Sequence, residues 1–339
     1  MSNDTHAPDS FELIQRKSDH IKLTGQSRTL PSSVDSRFNY EPLFFKHPKP
    51  EDKWKSKFLG HDLDYPIWIS SMTGGTQKAQ MINTHLAKLA GEFKLGMGLG
   101  SCRSLLESQD RLDDFKLRKY MGSQPLFANI GLAQLAELLI NSKLIKISEL
   151  IKVLEADGLI IHLNPLQEWF QPGGDRYQMT PAQVLESALN KFNFPIIIKE
   201  VGQGIGPQSL KTLLNMPIAA IEFGAFGGTN FSQLESLRSD ENLEMKRPFI
   251  QVGHTASEMV DLLNNLSTEG KEFIISGGIQ TVLDGYALKM RLNAPSIIGM
   301  ASAFLGPAQE SYSLLQEYFL QLKESLIVSR DLLTIKTSI

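Results

Sequence analysis

Polar and glycine residues follow short apolar runs at regular intervals along most of this chain. They fall at residues 70–75, 100–103, 129, 162–168, 199–200, 227–229, 276–278 and 299–302. Where strands run parallel and close into a barrel, the segments that follow them meet at one end and form the site there. The spacing therefore predicts a single site built from residues that are far apart in the sequence.

The last two of these segments favour a phosphate group as part of the ligand. Gly277 and Gly278 follow one apolar run, and residues 299–302 end the next. Glycines allow backbone N–H groups to approach a phosphate closely, and these loops are a common phosphate site in (β/α)₈ barrels. The alternative is that the glycine pair makes only a tight turn.

Lys199 stands at the end of an apolar run, where two orientations are open to it. A lysine that faces inward requires an anionic partner, because an unpaired buried charge is costly. The alternative is a lysine that points outward into water, since lysine is seldom fully buried.

Eight apolar runs alternate with stretches of helical periodicity. The runs are 66–70, 96–100, 126–130, 158–162, 196–199, 220–223, 273–276 and 296–299. Continuous apolar runs are typical of parallel strands that are covered on both faces. The stretches between them, such as 77–93 and 256–266, place apolar residues at i, i+3 and i+4. The pattern predicts an α/β fold, a TIM (β/α)₈ barrel with an N-terminal extension.

The remaining segments set the expected domain boundaries. Residues 1–10 are expected to form a mobile tail, and residues 11–65 an N-terminal extension that packs on the barrel and partly covers the site. Residues 66–325 are expected to form the barrel with a terminal helix at 308–325, and residues 326–339 a C-terminal tail.

Composition excludes several classes of function. A net charge of −3 on 339 residues gives no dominant attraction to nucleic acid or to an acidic membrane surface. No apolar run approaches the roughly 20 residues that span a bilayer, and the N-terminus lacks the apolar core of a signal peptide. The single cysteine, Cys102, rules out an internal disulfide and suits a reducing compartment. We therefore expect a cytoplasmic protein without a nucleic-acid or membrane partner, and we expect it to be a homo-oligomer.

Two other patterns are discounted as sites. The glycines at 96–100 and 202–206 do not have the GxGxxG spacing, so turns and packing explain them. Arg103 beside Cys102 is a feature that lowers a thiol pKa, yet no histidine motif marks the cysteine as a nucleophile. We expect Cys102 to be a small, partly buried side chain.

Taken in order, the site segments resemble one known enzyme family. The segments are 70–75, 100–103, 162–168, 199–202 and 276–279, with Arg16, Lys17 and His20 near the start and Gly174, Asp175 and Arg176 after the third. They resemble the type 2 isopentenyl-diphosphate isomerases, and the similarity extends from about residue 11 to residue 325. Residues 162–168 followed by 174–176 are the most specific part, because many FMN barrels share the glycine loops.

The resemblance implies a function and a set of contacts. Such enzymes interconvert isopentenyl and dimethylallyl diphosphate with reduced FMN and Mg²⁺, and NAD(P)H serves as reductant. The implied FMN contacts are Ser71, Met72, Thr73, Ser101, Asn129, Lys199, Thr229, Gly277, Gly278, Ala301 and Ser302. The implied substrate contacts are Arg16, Lys17, Ser101, Arg103, His162 and Gln167, and Glu168 would hold Mg²⁺. Gln167 has an assisting catalytic role, because an amide orients a substrate but is a poor acid.

Three positions depart from the family pattern. Phe226 stands where a small residue is expected, Ser302 lies where an arginine is expected nearby, and Cys102 occupies a position where glutamine is common. The first two put the phosphate contacts near the flavin in doubt.

Two other functions are weighed against the isomerase. An FMN barrel oxidoreductase acting on 2-hydroxy acids would carry a histidine–glycine–glycine–arginine stretch, where this chain has Phe226, Gly227, Gly228 and Thr229. A non-enzymatic phosphate-binding scaffold would not need so many polar strand ends.

Overall fold

The computed structural model describes residues 10–72, 77–239 and 244–336. These residues divide into two compact units. The first comprises the described part of Met1–Asn39 together with Lys336, and the second is Tyr40–Ile335. The first unit contains helix α1 (Ser10–Leu23), and strand β1 (Phe38–Tyr40) lies at the boundary. The position of the predicted extension over the site stays a prediction.

The second unit contains a closed barrel of eight parallel strands. The strands are β4 (Ile67–Ile69), β5 (Gly96–Gly98), β6 (Leu126–Gly131), β7 (Gly158–Leu163), β8 (Ile196–Glu200), β9 (Ala220–Glu222), β10 (Glu272–Ile275) and β11 (Ser296–Met300). Each pairs with the next in chain order, and β11 pairs with β4 to close the barrel. Each of the eight predicted runs overlaps one of these strands, so the predicted barrel is confirmed.

Helices follow the strands and cover the barrel. They are α2 (Gln77–Phe93), α3 (Arg118–Met121), α4 (Leu132–Ile140), α5 (Ile145–Leu154), α6 (Pro165–Phe170), α7 (Pro181–Ala188), α8 (Pro207–Leu214), α9 (Phe231–Arg238), α10 (Ala256–Asn264), α11 (Val282–Arg291), α12 (Ser302–Glu310) and α13 (Tyr312–Leu332). Strand β12 (Leu333–Ile335) ends the unit. Within the described ranges, none of these helices combines the length and the apolar composition that crossing a membrane requires.

The predicted terminal helix at 308–325 was wrong at both ends. Ser311 has an extended backbone that separates α12 from α13, and its hydroxyl accepts the Leu314 N–H at the start of α13. The helix then continues to Leu332, because Leu326 and Ile327 are buried against the barrel helices. Residues 326–332 are therefore part of the packed helix and not of a tail.

Alternate residues of the barrel strands belong to two separate apolar clusters. One cluster faces the helices, and the other fills the barrel interior with Trp68, Phe127, Ile160, Ile197, Ala220, Ile274 and Ile297. Gly96 is the small member of the interior layer, since a Cβ atom there would lie 2.4 Å from the Trp68 ring. Gly96 thus serves packing.

A hairpin closes the amino end of the barrel. It consists of β2 (Ser56–Phe58) and β3 (His61–Leu63). The Phe58 and Trp68 ring centroids are 5.5 Å apart, and Leu63 joins the same interior cluster. The Leu59 N–H donates to the Glu272 carboxylate at 3.1 Å, which ties the hairpin to β10. The barrel is solid from this end up to the last inward residues of its strands.

Candidate active site

At the carboxyl end of each barrel strand, one inward position holds a residue of a different kind from those below it. These residues lie two positions beyond the apolar interior layer, and they are Ser70, Gly98, Asn129, His162, Lys199, Glu222, Ser276 and Gly299. Because side chains alternate along a strand, the eight residues form one layer, which we call the floor layer. The change from apolar to polar side chains marks the point at which the core ends and a site begins.

A cavity of about 750 Å³ lies on part of the floor layer. Its volume is within the usual range for small-molecule sites. From the floor layer, Ser70, Lys199, Glu222, Ser276 and Gly299 line the cavity. Eight residues predicted to contact the cofactor also line it, namely Ser71, Met72, Lys199, Thr229, Gly277, Gly278, Ala301 and Ser302. The structure therefore brings most of the predicted cofactor residues to one place.

Two of the described cofactor residues, Ser101 and Asn129, are not on the lining of this cavity. Thr73 lies outside the described residues. Ser101 is exposed just beyond β5, and Asn129 is buried in the floor layer, where its amide nitrogen donates to the Leu99 carbonyl at 3.0 Å. The contacts of these residues with FMN stay predictions.

Backbone atoms of glycines form one wall of the cavity. Gly277 and Gly278 have φ values of 87° and 71°, and a Cβ atom on Gly277 would lie 2.2 Å from the Ala225 carbonyl oxygen. Helix α12 begins at the same cavity with Ala301 as its N-cap, which provides no side-chain hydrogen bond. The N–H groups of the first turn are therefore free of a side-chain cap and favour an anion. The glycine pair lines the cavity and is more than a turn.

Lys199 points into the barrel. Its side chain is buried, it lines the cavity, and its Nζ donates to the Glu200 carbonyl at 2.9 Å. Glu222 pairs with Lys199 in the β8–β9 register and is 0% exposed. Burial raises the pKa of Glu222, while the Lys199 ammonium and the hydroxyls of Ser70 and Ser276 oppose that rise. The inward orientation is confirmed, and Glu222 is the carboxyl group adjacent to Lys199 across the β8–β9 pair.

The next residue, Glu200, organises the loop after β8. Its Oε2 accepts four consecutive backbone N–H groups, from residues 201–204, at 2.6–3.1 Å. Burial raises the pKa of Glu200 to about 7, although these amides and the Lys199 charge act against it. Val201 and Gly202 of this loop line the cavity. One buried carboxyl group thus fixes a segment of the cavity wall.

His162 and Asn129 form a polar pair in the floor layer. The His162 Nδ1 lies 2.8 Å from the Asn129 Oδ1, and the Asn129 amide nitrogen is used by Leu99. With this amide orientation, Nδ1 carries the proton and Nε2 has a free lone pair. Burial, together with the Lys199 charge, lowers the pKa of His162 to about 3. His162 is therefore neutral at physiological pH and presents a hydrogen-bond acceptor.

Gln167 and Glu168 lie at the start of α6 within one hydrogen-bond network. Asn164 Nδ2 donates to Gln167 Oε1 at 3.1 Å and to Glu168 Oε1 at 2.9 Å. Gln167 Nε2 donates to Glu235 Oε1 at 3.3 Å, and Arg238 forms an ion pair with the same Glu235. The carboxylates of Glu168 and Glu235 are both largely buried. Among the described residues, no group of three histidine, cysteine or acidic side chains is arranged to hold a metal alone.

Arg103 is joined to Glu168 through Asp175. The Arg103 Nη1 lies 3.3 Å from the Asp175 Oδ2, which also accepts from Gln134 Nε2 at 3.2 Å. The Asp175 backbone N–H donates to Glu168 Oε2 at 2.8 Å. The structure thus brings together a residue predicted to bind substrate and the residue predicted to bind the metal, although they are 65 positions apart in sequence (168 − 103).

Sequence reasoning missed Glu222 and Glu235 as residues of the site. Glu222 stands inside an apolar strand. The signal that could have identified it is its spacing: it lies two positions after Ala220, which faces the barrel interior, so its carboxyl group faces the same way. Glu235 lies on α9, and no spacing links it to Gln167. The predicted substrate residues Arg16 and Lys17 lie on α1, where both are exposed.

Two expectations about departures from the family pattern need correction. Cys102 is fully buried rather than partly buried, and burial raises its thiol pKa to about 12, so the neighbouring Arg103 does not activate it. The Phe226 ring is not on the cavity lining, since its Cδ2 lies 2.9 Å from the point where a Cβ on Gly253 would stand. The bulky residue therefore leaves this cavity open. Ser302 lines the cavity without an arginine beside it.

Relatives that match this chain in sequence carry the name isopentenyl-diphosphate delta-isomerase. No family model matches the chain. Isopentenyl-diphosphate delta-isomerase from Rickettsia africae is 35% identical over 324 residues, covering 93% of this chain and 92% of that protein. The protein of the same name from Rickettsia prowazekii is 34% identical over 326 residues, with the same coverage. The chain belongs to the isopentenyl-diphosphate delta-isomerase family. The resemblance drawn from the site segments is therefore confirmed.

Solved structures similar to this isomerase family member are more distant in sequence. A flavocytochrome b2 variant with sulfite bound has a TM-score of 0.59 at 14% identity and covers 95% of this chain and 88% of its own. A mandelate oxidase variant has a TM-score of 0.53 at 8% identity, with 88% of both chains covered. At these identities the likeness shows the barrel fold alone.

Proposed function

We propose that this chain interconverts isopentenyl diphosphate and dimethylallyl diphosphate, with FMN bound in the cavity on the floor layer. Family membership supports the reaction, since the relatives carry the isomerase name over nearly their whole length. The observation that carries the cofactor proposal is the cavity itself, which joins a glycine backbone wall to a buried lysine at the carboxyl ends of the strands.

The residues present fit FMN. The phosphate group would lie at the Gly277–Gly278 wall and at the first turn of α12, where uncapped N–H groups favour an anion. Lys199 on the floor would donate to the ring system, and residues 71–72 would pack beside it. In its reduced form, bound FMN would supply a proton donor and a proton acceptor next to the alkene.

The diphosphate would bind among Arg103, His162, Gln167 and Glu168. Arg103 is half exposed and offers a guanidinium fork that matches a phosphate. Glu168 would hold Mg²⁺ against the diphosphate, because this ion usually takes one or two carboxylates together with phosphate oxygens and water. Its oxygens each accept one hydrogen bond, which leaves lone pairs for a metal. Ser101, Arg16 and Lys17 complete the proposed substrate contacts.

Among the residues that the structure describes, no side chain near this site is a strong acid aimed at a hydrocarbon. The pKa of His162 is lowered to about 3, so its imidazole is neutral and orients rather than protonates. Gln167 is held by Asn164 and Glu235 and has an orienting role as well. The protein's part is to fix the alkene in place and to keep water away from developing positive charge.

The test is the number of product molecules formed for each NAD(P)H oxidised. Because the isomerisation exchanges no net electrons, we expect NAD(P)H only to prime the enzyme, with product in large excess over reductant consumed. The purified protein should show a flavin spectrum, and anaerobically reduced enzyme should be active where oxidised enzyme is not. A ratio near one would contradict the isomerase, and a protein that neither carries nor gains FMN would contradict the cofactor.

A further inference from the structure

Glu222 is an unusual residue in the cavity lining. It is 0% exposed, and neither carboxylate oxygen has a hydrogen-bond partner within the described structure. A buried polar group that lacks partners destabilises the folded state, so a carboxylate of this kind calls for an explanation. Nothing in the proposed reaction uses it.

The surroundings of Glu222 point to Lys199. The two residues are adjacent across β8 and β9 in the floor layer, and both line the cavity. The Lys199 ammonium has one hydrogen-bond partner in the described structure, the Glu200 carbonyl. Ser70 and Ser276 provide the other polar groups beside Glu222, and their hydroxyls are close enough to oppose the rise in its pKa without meeting the geometry of a hydrogen bond to it. The Lys199 ammonium acts on Glu222 electrostatically, and both side chains border the same ligand space.

We propose that Glu222 is a positioning residue of the flavin site, which holds Lys199 as a charged ammonium in the floor layer and offsets part of its charge. The proposal rests on the proposed FMN site. A lysine buried among apolar strands would otherwise lose its proton or turn away. With Glu222 ionised beside it, the lysine stays charged and directed at the cavity, while the net charge under the ring stays close to zero.

The pair should set how much more tightly the protein binds reduced FMN than oxidised FMN. Reduced flavin carries more negative charge, so an uncompensated Lys199 favours it. Glu222→Gln removes the compensating charge with little change in shape. We expect the ratio of the dissociation constants of oxidised and reduced FMN to rise about tenfold. That change corresponds to a midpoint potential about 30 mV more positive for the two-electron couple.

The effect should depend on Lys199. Without the lysine, burial keeps the Glu222 carboxyl protonated, so Glu222→Gln exchanges one neutral group for another of the same shape. In a Lys199→Met background we therefore expect Glu222→Gln to change the ratio less than about twofold. Glu272→Gln is the matched control, because this carboxylate lies at the other end of the barrel and binds the hairpin. It should leave the ratio unchanged.

The decisive experiment is this double-mutant cycle, with both dissociation constants measured by titrating flavin-depleted protein with FMN anaerobically and in air. Equal effects of Glu222→Gln in the two backgrounds would overturn the proposal, as would no effect in the wild-type background. Should Glu222→Gln not fold, infrared spectra of Lys199→Met replace it. A new protonated-carboxyl band relative to wild type supports the pair, and its absence overturns it. Wild-type protein that does not bind FMN would instead refute the proposed function.

Discussion

The carboxylates around the site differ in their surroundings and therefore in what they are suited to do. Glu168 accepts one hydrogen bond on each oxygen, and Glu200 accepts four on one oxygen. Glu222 accepts none in the described structure. Glu168 retains spare lone pairs and is suited to bind a metal. Glu200 is saturated by amides and is suited to a structural role. Glu222 has no hydrogen-bond partner and is suited to act through its electrostatic field.

Replacing Glu168 should separate cofactor binding from turnover. Glu168→Gln retains the shape but loses the charge that neutralises Mg²⁺, so activity is expected to fall by at least about tenfold while FMN stays bound. Activity as a function of Mg²⁺ concentration, with flavin content measured in parallel, checks this. Glu186→Gln on the exposed face of α7 is the control. Activity that is unchanged across the Mg²⁺ titration would remove Glu168 from the metal site.

Arg103 should contribute mainly to substrate affinity. Arg103→Ala loses a charge-assisted hydrogen bond worth roughly 1.5–3 kcal/mol, so KM for isopentenyl diphosphate should rise about 10- to 150-fold. Steady-state kinetics measure the change, and Lys191→Ala, an exposed cation before β8, serves as control. If KM stays constant and FMN is lost, the arginine serves the cofactor and not the substrate.

At the scale of elements, the loop after β8 depends on a buried acid whose ionisation is costly. The pKa of Glu200 is about 7 in the folded protein, above the unfolded value near 4.3. Between these two values the folded state keeps a proton that the unfolded state has lost. The free energy of unfolding therefore decreases as pH rises from about 4.5 to 7, and it is constant with respect to this group above that range.

Glu200→Gln should remove this dependence on pH. The amide cannot ionise, so the variant lacks the loss of stability that the wild type shows as pH rises. The free energy of unfolding of the variant minus that of the wild type should therefore increase by about 3 kcal/mol between pH 4.5 and 8. Urea unfolding at the two pH values, for proteins of equal flavin content, gives the difference. A wild-type curve that gains stability relative to the variant as pH rises would show that the four amides outweigh burial.

The positions of the barrel strands were more predictable from the sequence than the ends of the last helices were. All eight strand runs were correct, because apolar runs covered on both faces need no choice of face. The break at Ser311 was missed because Pro307 is tolerated inside α12 and no glycine marks its end. The same two-sided burial hides which residues face inward. For that reason Lys199 was left with two orientations, and Glu222 was not recognised as a floor residue.

Side-chain partners across the site were beyond the reach of sequence. Arg103 and Asp175 meet only because the barrel brings the loops after β5 and β7 together. Glu235 reaches Gln167 from α9 in the same way. Residues 162–168 were recognisable by their motif, whereas acids contributed by other loops carry no local pattern.

At the scale of the whole molecule, the N-terminal unit presents exposed basic side chains on helix α1. Arg16 and Lys17 are adjacent exposed cations on α1, with His20 one turn on. We expect residues 10–39 to close over the diphosphate, because paired cations near a bound anion are drawn to it. Trypsin should cleave this segment more slowly when isopentenyl diphosphate and Mg²⁺ are present than with Mg²⁺ alone. Equal cleavage rates would count against such a lid.

The solid lower half of the barrel has a consequence for the order of events. Phe58, Leu63 and Trp68 close the amino end, so the cavity has no exit beneath the floor layer. A molecule resting on that floor must therefore enter before anything that lies above it, and it can depart only afterwards. FMN held there would be trapped during each turnover by the diphosphate over it. Saturating substrate should then slow the exchange of bound flavin for free flavin, because both molecules would use the same entrance to the cavity.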